Sequence, residues 1–236
     1  LKIKIAIFTS IFLYGFCFAG GDPVVINRIK GCKEKKVLLT FDDGPSSKVT
    51  PQILKILEKH GIKAIFFVLG QRITKETDIL LRNMVQKGHL LANHSFDHKS
   101  MKKICKDQQL EILTTTNQAI SPYQKEIIWF RPPYGSYNTE TIACIKKLGM
   151  MIMMWSIDTF DWKRPSFKTL WNRIQPNLKP GSIILFHDIH KSTAQNLEKV
   201  ICAIKTEGFD FINPQEAASL VYLPTETPPV KKDENP

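Results

Sequence analysis

Short, almost uninterrupted apolar runs recur along the chain, separated by longer stretches in which apolar residues return every third or fourth position. The runs are "KVLLTF" (36–41), "AIFFVL" (64–69), "HLLAN" (89–93), "IIWF" (127–130), "MIMMWSI" (151–157), "SIILFH" (182–187) and "FDFIN" (209–213). Each is short and nearly continuously apolar, as expected of a parallel strand covered on both faces. The intervening stretches with helical spacing are 50–61, 76–87, 107–119, 139–148, 167–174 and 194–207; the first carries Pro51 in its opening turn and Gly61 at its end. This alternation predicts an α/β fold with about seven parallel strands. An open doubly wound sheet and a closed (β/α) barrel with one strand fewer than the eight-stranded type both satisfy it.

The two ends break the pattern. Residues 1–19, "LKIKIAIFTSIFLYGFCFA", place Lys2 and Lys4 before an uncharged apolar stretch, and the small residues Ala19, Gly20 and Gly21 follow. This is the plan of a secretory signal, and it predicts a secreted, periplasmic or cell-envelope protein whose only membrane contact is through that segment if it is not cleaved. Residues 20–35 read as a polar lead-in, 36–222 as one domain, and the Pro-rich 223–236 as a disordered tail. The formal net charge of +11 becomes +9 once Lys2 and Lys4 are removed with the leader. Such a charge favours anionic partners, here wall or envelope polymers. No helix-turn-helix signature, zinc-finger spacing or basic-aromatic repeat points to nucleic acid. Beyond the leader, Cys32, Cys105, Cys144 and Cys202 form no CxxC pair; four cysteines allow three pairings, with buried free thiols the alternative.

The polar residues that interrupt the apolar runs all fall at strand carboxyl ends: Asp42 and Asp43, His94 and His98, Arg131, Asp158 and Asp161, His187 and Asp188. In parallel α/β architectures those ends share one face, where sites are built. Adjacent carboxylates repel and lose hydration, so Asp42 and Asp43 imply a cation between or beside them. His94 and His98, four apart, project from one face if the segment makes a helical turn, and with one carboxylate they supply a two-His-one-carboxylate set for a catalytic divalent ion. One aspartate then binds the ion and the other stays free. Trp155 and Trp171, with apolar neighbours, read as core, with sugar-stacking platforms the alternative, and His60, His89 and His190 read as structural or surface residues.

"TFDDGP", "HSFDH", "RPPYG", "DTFDW" and "LFH", in this order and spacing over roughly 36–215, resemble the polysaccharide deacetylase family of metal-dependent carbohydrate esterases. The resemblance implies a distorted (β/α) barrel, one divalent ion (zinc, with cobalt or nickel as alternatives) and hydrolysis of an N-acetyl or O-acetyl group. It further implies that Asp43, His94 and His98 hold the metal and that Asp42 is the general base, oriented by Arg131. His187 would be the general acid tuned by Asp161. The backbone N–H of Tyr134 would help hold the oxyanion, and Trp162 and Leu185 would wall the acetyl pocket. The expected partner is an N-acetylated glycan polymer, with peptidoglycan first because it is itself anionic. Chitooligosaccharide or poly-N-acetylglucosamine deacetylation and xylan O-deacetylation are the alternatives within the chemistry. An inactive glycan-binding barrel is the alternative from another class, and no protein partner is inferred.

Overall fold

Side-chain alternation along one strand organises the molecule. In a computed structural model, which describes residues 25–222, Lys36–Asp42 is a seven-residue strand whose residues from Val37 onward are all buried. Val37, Leu39 and Phe41 face the surrounding helices, while Leu38 belongs to a second cluster with Ile65, Phe67, Ala92, Trp129, Met151, Met153 and Ile183, contributed by the neighbouring strands. Period-two alternation therefore gives each strand an inner row and an outer row. The leader expected at 1–19 and the tail expected at 223–236 lie outside the described residues.

The strands are β1 (Val25–Ile26), β2 (Lys36–Asp42), β3 (Ile65–Val68), β4 (Leu90–Asn93), β5 (Trp129–Phe130), β6 (Met151–Met153), β7 (Ile157–Asp158), β8 (Ser182–His187) and β9 (Asp210–Phe211). The helices are α1 (Thr50–Lys59), α2 (Asp78–Gln86), α3 (Lys106–Ile120), α4 (Thr139–Lys147), α5 (Phe167–Ile174), α6 (Lys191–Thr206) and α7 (Pro214–Tyr222). The sheet runs β1-β6-β5-β4-β3-β2-β8-β7, with β9 paired to the start of β2, and every strand pair is parallel.

The sheet is curled, and chain length requires it. From β6 to β7 the sheet order takes six steps, which at about 4.8 Å each would span about 29 Å if flat. Only four residue steps separate Met153 from Ile157, a reach of about 14 Å. The expected single strand 151–157 is thus two strands on opposite sides of a closure. Its link is tied to both sides: the N–H of Met154 donates to the Ile26 carbonyl (2.7 Å) and that of Ser156 to the Ile183 carbonyl (3.0 Å).

The expected lead-in fills the same gap. Val25–Ile26 pairs with β6, Arg28 bridges to Ser182, and the N–H of Ile29 donates to Gly181 at 2.8 Å. At Gly181 φ is +73° and a Cβ would stand 2.1 Å from the Ile29 carbonyl oxygen, so only glycine admits this approach. Two apolar residues too few to read as a strand hid this element. The other strands lie within their expected runs or one residue beyond, shortened most at 209–213, where Asp210–Phe211 alone pairs, and next at 127–130, where Trp129–Phe130 alone does. The four cysteines among the described residues are free, with Cys32 and Cys144 buried and Cys105 and Cys202 exposed.

Candidate active site

The inner rows change character as they climb. On β2 the row is Leu38, Thr40 and Asp42; on β8 it is Ile183, Leu185 and His187; beyond β4 it continues from Ala92 to His94, and beyond β5 from Trp129 to Arg131. Each row starts in the apolar floor and ends in a polar or ionisable side chain at the carboxyl end. Register completes the grouping, because Asp42 lies opposite His187 across the β2–β8 pair.

Arg131 is fully buried and every nitrogen is used. Its Nη1 donates to Asp42 Oδ1 (2.7 Å) and Thr40 Oγ1 (2.9 Å), Nε to the Met153 carbonyl (2.9 Å) and Nη2 to the Met154 carbonyl (2.9 Å). The guanidinium also lies over the Phe67 ring at 4.1 Å. Asp42, 3% exposed, is thereby an ion-paired carboxylate with one oxygen left over. Such a buried pair stands because both partners are hydrogen-bonded; a lone buried charge would not.

Asp43 follows in the left-handed backbone region (φ +73°), as do Ser95 (+68°), His98 (+62°) and Tyr134 (+60°). Uncommon conformations in non-glycine residues gather at functional sites, where the surroundings hold them. His94 and His98 do not share a helical turn, contrary to the spacing argument. An irregular loop brings them together: Asn93 Oδ1 accepts the Ser95 N–H (2.8 Å), Ser95 Oγ accepts the His98 N–H (3.1 Å), and the two rings end 5.1 Å apart.

Ligand-type atoms of Asp43, His94 and His98 lie within 4.8 Å of one another, with Asp43 Oδ1 at 3.4 Å from His94 Nε2 and 3.3 Å from His98 Nε2. The His94 Nδ1–H donates to the Arg131 carbonyl at 2.7 Å, which turns Nε2 toward the carboxylate. Asp43 Oδ1 is buried and takes no hydrogen bond. An orphaned anionic oxygen between two imidazole nitrogens fits a divalent cation of the kind that accepts mixed N and O ligands. Burial raises the Asp43 pKa, but His94 and the other imidazoles outweigh it and hold the carboxyl below its usual range; burial lowers that of His98. Both shifts favour the ligating forms.

Opposite stands His187. Its Nδ1 is 2.7 Å from Asp161 Oδ1, its backbone N–H donates to Asp161 Oδ2 (2.8 Å), and Thr193 Oγ1 donates to that same oxygen. Burial pulls the imidazolium down, yet Asp161, reinforced by Asp42 and Asp43, carries its pKa up to about 9. The cleft, about 460 Å³, is lined by Asp42, Asp43, both metal-type histidines and His187, with Tyr134, Trp162 and Leu185 in its walls. All ten residues singled out for the site converge: eight line the cleft, while Arg131 and Asp161 lie behind Asp42 and His187.

Several contributors escaped the sequence reading. Thr40 and Thr193 are buried hydroxyls: Thr40 was signalled only as a polar residue inside an apolar run, and Thr193, among the mostly polar residues 190–196, carried no signal. Trp155, expected in the core, packs there and also lines the cleft beside Asp158. Asp188 turns away from it: burial pushes this carboxyl up to about 7, and Thr50 Oγ1 donates to Oδ2. Trp171 stacks on Phe167 against the core as expected, and His89 accepts the Ala64 N–H at Nδ1 (3.1 Å).

Comparison with known proteins places this architecture. The model of the family described as "Polysaccharide deacetylase" matches residues 30–153. The chain is 34% identical over 188 residues to the peptidoglycan-N-acetylglucosamine deacetylase PgdA of Listeria monocytogenes, covering 79% of this chain and 40% of that protein. It is 35% identical over 184 residues to the peptidoglycan-N-acetylglucosamine deacetylase of Bacillus cereus, covering 75% of this chain and 66% of that one. A solved CE4 family pseudoenzyme from Bacillus anthracis superposes with a TM-score of 0.76 at 32% identity, covering 84% of this chain and 69% of that chain. The chain therefore spans less than half of the Listeria protein and about two thirds of the other two.

Proposed function

Since the chain belongs to the polysaccharide deacetylase family, we propose that it is a cell-envelope hydrolase that uses one divalent ion to remove N-acetyl groups from N-acetylglucosamine in peptidoglycan. A fold that also occurs as a pseudoenzyme does not by itself imply catalysis, so the side chains must carry the reading. The observation that carries it is the pairing of each flanking group with its own partner, Asp42 with Arg131 and His187 with Asp161, on either side of the Asp43–His94–His98 trio.

Asp43, His94 and His98 would hold the ion, zinc in the first instance with cobalt or nickel as substitutes. Bound there, it would polarise the acetyl carbonyl and acidify water. Asp42 takes the proton as water attacks, and Arg131, bonded to its Oδ1, aims that carboxylate. The backbone N–H of Tyr134 meets the developing oxyanion, while Trp162 and Leu185 enclose the methyl group. Collapse must expel an amine, which leaves only when protonated. His187, kept cationic by Asp161, delivers that proton. An ester releases an alkoxide that asks less of an acid, so the buried Asp161–His187 pair favours the amide over the xylan ester.

Peptidoglycan is preferred among acetylated glycans because the two curated relatives named above act on it by name and because a chain of net charge +11 is drawn to an anionic polymer. Acetate release from peptidoglycan, chitooligosaccharides, β-1,6-linked poly-N-acetylglucosamine and acetylxylan tests this with the metal-loaded protein. The expected result is highest kcat/KM on peptidoglycan. Turnover of a neutral oligomer with none on peptidoglycan would replace the substrate but keep the chemistry, whereas no acetate from any of the four would overturn the proposal.

A further inference from the structure

A second cavity, about 740 Å³, adjoins the cleft on the His187 side. Three segments distant in sequence build it: the loop before α1 with Lys48, the turn after Asp161 with Arg164, and the start of α6 with Lys191 and Ser192. No aspartate or glutamate lines it, and Lys48, Arg164 and Lys191 are exposed without an ion-pair partner among the described residues. Ser192 Oγ is buried with no hydrogen-bond partner at the same wall.

The cavity is coupled to the reaction site by two residues. His190 lines it and lies 5.9 Å, ring to ring, from His187 of the cleft. Arg164 ends the turn that presents Trp162 to the cleft and Asp161 to His187, and the turn is bracketed by left-handed residues, Phe160 (φ +50°) and Arg164 (φ +53°). The conformation that sets Asp161 behind the catalytic histidine thus also directs the chain at Arg164 into the neighbouring cavity.

We propose that this cavity is a carboxylate-binding subsite, taking the acidic substituent of the sugar next to the one being deacetylated. The inference rests on the deacetylase reading and narrows its substrate to acidic glycans. Unpaired cations in a concave, acid-free setting concentrate field on one anion. A guanidinium matches a carboxylate with two parallel N–H donors, and two ammonium groups add charge without imposing geometry. Neutral oligomers gain nothing there.

Calorimetry on the full metal-loaded chain tests it with two probes, an acidic disaccharide-peptide from peptidoglycan and the same molecule with its carboxylates amidated. The acidic probe is expected to bind about tenfold more tightly, since charge-assisted bonds are roughly twice as strong as neutral ones. That ratio should collapse toward one in Lys48→Gln/Arg164→Gln/Lys191→Gln, and Arg164→Lys alone should lower it only in part, because the ammonium keeps the charge and loses the paired donors. The fold of each variant is checked by its thermal midpoint. Equal affinity for the two probes, or a preference that survives in the triple variant, overturns the subsite. The binding ratio is read without turnover, so failure of the subsite and failure of the deacetylase reading, scored by acetate release, are separate results.

Discussion

Asp42 and Asp43 are neighbours in sequence and opposites in setting. Asp42 ends an inner row and is tied to a buried guanidinium, whereas Asp43 turns through a left-handed conformation to face two imidazoles. Sequence alone implied that one would bind an ion and the other remain free; which is which depends on Arg131, eighty-nine positions away. Asp42→Asn should therefore keep its metal, measured by elemental analysis, while turnover falls by a factor of about 10²–10⁴, the worth of a general base. A variant that loses the metal would show the two roles to be interchanged. His187 supports a second expectation. With its pKa raised to about 9, the protonated acid persists through neutral pH and is lost as pH rises past that value. Removing the anion in Asp161→Asn makes the imidazolium easier to deprotonate, so the alkaline limb of the pH–rate profile should move to lower pH. An unmoved limb would mean that another group sets it.

At the level of elements, the long buried strands were legible because tertiary burial on both faces leaves a continuous apolar run, as in 36–41 and 182–187. Two features were not legible. The run 151–157 is apolar throughout, and nothing in it marks that Met154–Ser156 crosses from one side of the closure to the other. The stretch 25–29 is too short to carry a period and becomes a strand only through partners at Met153 and Ser182. The His94–His98 pair shows that a correct grouping can come from a different local structure, since side-chain turns at Asn93 and Ser95 do what a helix was expected to do. The β2–α1 connection adds a constraint that no periodicity reports. A Cβ on Gly44 would stand 2.2 Å from Asp188 Oδ2, and Asp188 is fully buried and held by Thr50. Gly44→Ala should therefore shift the loop that carries Asp43, costing about 1–3 kcal/mol as overpacking does and weakening metal binding together with stability. Adding Asp188→Ala makes room, and the double variant should recover part of the loss in a denaturant titration. No recovery would place the strain elsewhere.

For the whole molecule, the candidate ligands join distant parts of the barrel: Asp43 leaves β2, while His94 and His98 follow β4, with β3 lying between these strands in the sheet. Without an ion, that mouth holds an anion with an unpartnered buried oxygen, a deficit the hydrophobic layers below must offset. An ion that binds the folded chain and not the unfolded one stabilises it by RT ln(1 + [L]/Kd), about 2.7 kcal/mol at one hundred times Kd. Activity and stability should consequently move together. A chelator should abolish acetate release and lower the thermal midpoint, and zinc or cobalt should restore both with a stoichiometry near one. His98→Ala separates this from general salt effects: of the two histidines its side chain is the more exposed, at 25% against 3% for His94, so it can be truncated with less loss of packing. The variant should start near the chelated midpoint and respond little to added metal. Full activity in metal-free protein would remove the ion from the reaction, and an equal rise in midpoint for wild type and His98→Ala would remove it from this site as a source of stability.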